Sequence, residues 1–392
     1  TTWQLRHAGA TVEVALDRGE IVAGERRAML DELELELIEG PPDALFAIAR
    51  KLFPKGPVRF SRRNKAARAR ALADGGVAVA PPVPVFAGEA RIDAKAPAEA
   101  AARAILTECF RQITGNVAAV LAADDPEGPH QLRVGLRRLR SALQLLAPVL
   151  SAGPEDRRYA ALQAEARWLG QEVGRLRDLD VAQSDLLRPA ATAAPQEPGF
   201  RVLIDAVHDR ATAEREQLRA TLLGERATAF QFDLAEYIAL RGWLDPADHG
   251  QTARLAQPFA EVAAAAARKA DRRAAKRARC IETLDHEARH DLRKALKALR
   301  YMIEFGAVCW PAKKLRPVLK TLKALQTLFG ELNDAAMAEA LFLAPDAPAA
   351  GHPCAARAAG RLIGGSERAA DHAWEAAKGR WAAFADTARP WH

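Results

Sequence analysis

The chain has 392 residues, 49% of them hydrophobic and 6% aromatic, which is enough for two or three domains with their own cores and too apolar for a disordered chain. The net charge of +7 is modest, but Lys and Arg concentrate in residues 130–140, 268–279, 289–300 and 313–323, where Asp271 and Asp291 are the only acids, so a polyanionic partner is expected. No apolar run of about 18 residues and no secretory leader is read, which excludes a spanning helix, and the scattered Cys109, Cys280, Cys309 and Cys354 form neither a CxxC pair nor a disulfide framework, which points to a reduced, cytoplasmic setting.

In chain order, the predicted elements begin with strands. WQLRHAG, ATVEVAL, EIVAG and DELELELIEG occupy most of residues 1–40, with a turn expected at Asp17-Arg18-Gly19. In ELELELIEG the period of two puts Glu32, Glu34 and Glu36 on one face and Leu33, Leu35 and Leu37 on the other. Pro41-Pro42 breaks the run, residues 43–53 read as a helix, and residues 58–72 read as a returning strand. The Gly-, Pro- and Ala-rich residues 73–96 read as a linker. From about Ala98 onward helical periodicity dominates, with proline-marked connections at 188–198 and 344–353. The expected fold is therefore mainly α with a small β-rich N-terminal part.

The helical part repeats itself. His130-Gln-Leu-Arg133-Val-Gly-Leu-Arg137-Arg138-Leu-Arg140 returns as His290-Asp-Leu-Arg293-Lys-Ala-Leu-Lys297-Ala-Leu-Arg300, and Gly174-Arg-Leu-Arg-Asp178 returns as Gly330-Glu-Leu-Asn-Asp334. The order within both copies is the same, which duplication of a helical unit explains. On a helix, His130, Arg133, Arg137 and Arg140 form a stripe about 80° wide, beside an apolar stripe of Leu132, Leu136, Leu139, Leu143 and Leu146. Leu292, Leu296, Leu299 and Ile303 repeat the apolar stripe in the second copy. A solvated helix face needs no fixed residue order, so the doubled stripe points to anion binding. Arginine suits phosphate because its planar fork donates two hydrogen bonds and stays charged, while lysine adds a mobile point charge.

PHQLRVGLRRLR and RHDLRKALKALRY, followed by GRLRDLDV and GELNDAAM, resemble the signatures of the conserved histidine α-helical domain, the CHAD domain, over roughly residues 97–390. The repeats fall at about 97–188 and 255–343. The resemblance implies two pseudo-symmetric four-helix bundles whose basic helices line a groove for inorganic polyphosphate. It assigns polyphosphate contacts to His130, Arg133, Arg137, Arg138, Arg140, His290, Arg293, Lys297 and Arg300, and Arg167 and Lys323 join them from matching positions ahead of the second signature. Ala298 stands where the first copy has Arg138, so the halves are expected to grip unequally. No cofactor is implied for this part; the partners are polyphosphate and polyphosphate-granule proteins, with a cytoplasmic, granule-associated location.

Residues 1–72 resemble the CYTH, or triphosphate tunnel, fold through VEVALDRGEIVAG, ELELELIEG and SRRNKAARARAL. That resemblance implies that Glu32, Glu34 and Glu36 point inward to hold Mg²⁺ or Mn²⁺ against a triphosphate. Intact tunnels open with an ExExK strand, and none occurs upstream of Trp3. What stands here resembles the second half of a tunnel, so inorganic triphosphatase activity is expected only where the first half is also present.

Two other readings were weighed. His286-Glu287-Ala288-Arg289-His290 matches HExxH, but the first copy has Pro126 at the position of His286, and His290 already belongs to the basic stripe, so zinc chemistry is not expected. Nucleic acid is the stronger alternative, since basic helices bind any phosphate chain. The stripes lack stacking platforms and base-reading side chains, with Tyr301 the only aromatic in the basic stretches, and a base-free anion fits better. A scaffold that recruits protein partners is compatible with either.

Overall fold

The computed structural model describes every residue except Arg62, Pro154 and His392; Arg62, which belongs to SRRNKAARARAL, lies outside the described residues. The N-terminal part is a three-stranded antiparallel sheet in the order β1-β2-β3, with β1 at Thr2–His7, β2 at Ala10–Ala23 and β3 at Arg26–Glu39. The expected turn at Asp17-Arg18-Gly19 does not form. β2 runs through it with Asp17 opposite Glu32 and Gly19 opposite Leu30, and the chain reverses at Gly24-Glu25. Gly24 has φ +63°, the left-handed backbone that a two-residue hairpin turn asks for and that glycine adopts at least cost.

The two faces of this sheet are covered by different helices. Val12, Val14, Leu33, Leu35 and Leu37 pack against Ala44 and Ile48 of α1, Asp43–Leu52. On the opposite face Ile21, Ala28 and Leu30 meet Ala69 and Leu72 of α2, Lys65–Ala73. The expected strand at 58–72 is thus replaced by a helix over most of its length. Asn64 caps it by accepting from the Ala67 N–H at 2.9 Å, and its Ala, Arg and Lys residues are strong helix formers. The irregular chain that follows is strapped onto α3, Ala98–Ala122, where Asn116 accepts from the Val85 N–H at 2.9 Å and donates to the Val85 carbonyl at 2.8 Å.

Two four-helix bundles make up the rest. The first joins α3 to α4 (Glu127–Leu150), α5 (Arg157–Val181) and α7 (Gly199–Leu223), and the second joins α10 (Phe259–Arg277), α11 (His286–Phe305), α12 (Ala312–Phe342) and α13 (Pro353–Ala385). The short α6, Arg188–Ala193, lies inside the proline-marked connection expected at 188–198, with Pro189 in its first turn, where a missing N–H is harmless. α8 (Glu225–Ala239) and α9 (Gln251–Ala256) link the bundles. The repeats begin side by side. Ala98 N–H donates to the Gln257 carbonyl at 2.8 Å and Phe259 N–H to the Ala96 carbonyl at 3.0 Å, an exchange between equivalent residues that marks the pseudo-two-fold relation.

The apolar stripes read from the sequence are the cores of these bundles. Leu132, Leu136, Leu139, Leu143 and Leu146 are buried in the first, and Leu292, Leu296, Leu299 and Ile303 in the second. Burying each leucine removes apolar surface worth roughly 1.5–3 kcal/mol from water, which fixes the rotation of α4 and α11 about their axes. Their basic stripes are thereby turned to one side. Among the described residues no helix is long and apolar enough to cross a membrane.

Candidate functional site

α4 and α11 pack against each other across the pseudo-two-fold, so their basic stripes meet. Arg137 donates from Nε to the Tyr301 hydroxyl at 2.6 Å and its guanidinium lies 5.6 Å from the centre of that ring, which ties the first repeat to the second. The second signature of each repeat holds the first arginine of the stripe. Arg133 donates to Asp178 at 2.6 Å and to the Gly174 carbonyl at 3.3 Å, while Arg293 donates to Asn333 at 2.8 Å. Arg300 is fixed by Glu304 at 2.6 Å and by Gln326 of α12 at 2.9 Å.

The remaining cations lack acidic partners: among the described residues Arg137, Arg140, Arg167, Arg293, Lys297 and Lys323 have no carboxylate within ion-pair distance, and the Nε of Arg293 is buried without a partner. Burial and then the charges of Arg293, Arg137 and Arg133 pull the Lys297 ammonium down to about 7, against a weaker opposing pull from Asp334. Burial followed by Arg137 lowers Arg293 in the same way, and burial followed by Arg167 lowers Arg140. His130 and His290 are both lowered, first by burial, then by Arg177 and by Lys294 respectively. These shifts share one sense: the cleft disfavours further positive charge, by burial first and by the neighbouring cations second. Close to it, His286, Arg289, His290 and Arg293 line a shallow pocket with Phe329 and Asn333.

The structure thus brings together His130, Arg133, Arg137, Arg293 and Lys297, places Arg140 beside Arg167, and sets Lys323 one turn ahead of Gln326 on α12. Arg138 does not join them. Its side chain is 12% exposed, its guanidinium lies over the Phe305 ring at 5.1 Å, and it approaches Glu304 at 3.9 Å, so it belongs to the seam between the bundles. Ala298, at the matching place in the second repeat, has no such seam contact to make. The two sides differ through Arg137 against Lys297 and Arg177 against Asn333. Arg177, which stands beside His130, was not singled out from the sequence, although its place in GRLRD gave the signal.

The acidic strand face is arranged differently from the tunnel expectation. Asp17, Glu32 and Glu34 have carboxylate oxygens within 4.8 Å of one another, while Glu36 lies further along β3 opposite Glu13. Asp17 lies in Asp-Arg-Gly, a turn-favouring sequence that hides its place on the strand opposite Glu32. Lys65 of α2 reaches Glu34 at 2.8 Å, Glu32 at 3.7 Å and also Asp17, whose carboxyl it holds below the ordinary range. Arg68 pairs with Glu32 at 2.5 Å. These two cations offset two of the three carboxylate charges, and Lys65 stands among the oxygens that a divalent ion would share. As folded, the three carboxylates are held by Lys65 and Arg68.

Known proteins match the helical part. The CHAD domain family model matches residues 104–343, more than half of the chain. The crystal structure of the CHAD domain from the plant Ricinus communis superposes with a TM-score of 0.65 at 31% identity, covering 79% of this chain and 98% of that one. PptA from Streptomyces chartreusis is more distant, at 16% identity and a TM-score of 0.49, covering 73% of this chain and 100% of that one. With the doubled basic helix, the paired second signatures and the two bundles in place, the chain belongs to the CHAD domain family.

Proposed function

We propose that the protein binds inorganic polyphosphate along the cleft between α4 and α11 and is thereby recruited to polyphosphate granules in the cytoplasm. The observation that carries this reading is the meeting of Arg137, Arg293 and Lys297 from two repeats with no carboxylate paired to any of them. A linear phosphate polymer supplies closely spaced negative charge, releases counterions as it binds, and presents no bases that need stacking. Arg133 and Arg293 hold it through forked donation, while Lys297 and the two histidines add charge as protons are taken up.

Charge reversal at Arg133→Glu together with Arg293→Glu tests the reading. Retention on immobilised polyphosphate is expected to fall by about 100-fold or more, since two cations are lost and two anions gained in the cleft. Far-ultraviolet circular dichroism is expected to stay unchanged. Undiminished retention by the folded variant contradicts the assignment.

A further inference from the structure

The basic stretch at the start of α12 is not absorbed by the cleft. At about 100° per residue, Lys313, Arg316, Lys320 and Lys323 lie on one face of α12, within about 80°. Asp334, whose carboxyl interacts with Arg293 in the cleft, lies on that same face further along the helix. The stripe therefore lies on the helix face that leads to the cleft, with Thr327 and Glu331 between Lys323 and Asp334. Lys313, Arg316 and Lys320 are exposed, and among the described residues none of them has a carboxylate partner. Like charges at this spacing destabilise a helix, so their alignment points to a compensating partner. The first repeat makes the point sharper. Its matching positions on α5 are Arg157, Ala160, Ala164 and Arg167, so two of the four cations are alanines there.

We propose that Lys313, Arg316 and Lys320 form a track that takes up the polyphosphate chain where it leaves the cleft past Lys323. The polymer then exits on the side of the second repeat, and long chains make contacts that short ones cannot reach. The track spans about 10 Å along α12 from Lys313 to Lys320, room for several phosphates beyond those held in the cleft. The proposal rests on the polyphosphate reading of the cleft and adds a direction and a dependence on chain length to it.

The test compares tripolyphosphate with long-chain polyphosphate on the full chain, using Lys313→Glu/Arg316→Glu/Lys320→Glu and a control that changes charge equally on α13, Arg361→Glu/Arg368→Glu/Arg380→Glu. The α12 variant is expected to lose about tenfold or more in affinity for the long chain, with a salt dependence shallower by about 2 in log–log slope, and to keep its affinity for tripolyphosphate. The α13 control is expected to bind both as the unmodified protein does. Long-chain affinity unchanged in the α12 variant, an equal loss for both lengths, or an equal loss in the control each overturns the track. If the unmodified protein binds neither polymer, the cleft reading itself fails and the track fails with it; if only Arg133→Glu/Arg293→Glu loses binding, the track alone is overturned.

Discussion

Lys297 is the residue whose chemistry the fold changes most. Its charged form is disfavoured in the folded protein, where it titrates near 7, by burial and by the cations that face it: Arg293 on its own helix and Arg133 and Arg137 on α4, only partly offset by Asp334 on α12. Between that value and the ordinary lysine value of 10.5 the unfolded chain binds one proton more than the folded one, so stability rises with pH across that window and the penalty is complete below about pH 7. Lys297→Met is expected to raise the melting temperature most at or below about pH 7 and hardly at all near pH 10. A bound polyphosphate reverses the balance by favouring the ammonium. Affinity is expected to rise as pH falls from about 9 to 7, with close to one proton taken up per cleft at about pH 8, and Lys297→Met is expected to remove that rise. A further increase below pH 6.5, where His130 and His290 gain charge, is expected to survive the substitution. Calorimetry in buffers of different ionisation enthalpy measures the proton directly; no uptake near pH 8 contradicts this account of Lys297.

At the scale of elements, the turn of the N-terminal hairpin is open to a simple comparison. Gly24 has positive φ and Gly19 sits inside β2 with open space around it. Gly24→Ala is expected to destabilise the hairpin by about 1 kcal/mol, whereas Gly19→Ala is expected to be neutral or mildly stabilising. Urea denaturation of the two variants distinguishes them, and the opposite order places the turn back at Asp17-Arg18-Gly19. The misplacement has a physical origin. Asp-Arg-Gly is a good turn sequence, but pairing of Leu16 with Leu33 and of Ile21 with Ala28 on either side of it keeps β2 extended. Residues 65–72 form a helix in place of the expected strand because Asn64 caps it and its alanines favour helix. α4 and α11 were legible because their leucines recur at helical spacing and their arginines keep the same order twice. Arg138 was placed in the cleft by resemblance, while its angle, off the His130–Arg133–Arg137–Arg140 stripe, already pointed it elsewhere.

At the scale of the whole molecule, two bundles related by a pseudo-two-fold bring two weak features together into one strong field. A single stripe of arginines on a solvated helix is screened within about 10 Å at ordinary salt, but two stripes facing each other across partly buried walls reinforce one another. The duplication is not perfect: Lys297 answers Arg137, Asn333 answers Arg177, and α12 carries cations where α5 carries alanines. The cleft therefore has two sides of different chemistry, and Tyr301, which bridges them, is engaged by Arg137 and stacks with Phe305. A base-free polymer is the expected ligand on both counts. Competition between long-chain polyphosphate and duplex DNA at matched phosphate concentration and fixed salt tests this most directly. Polyphosphate is predicted to displace bound DNA from the protein while DNA fails to displace polyphosphate; displacement of polyphosphate by DNA contradicts the account.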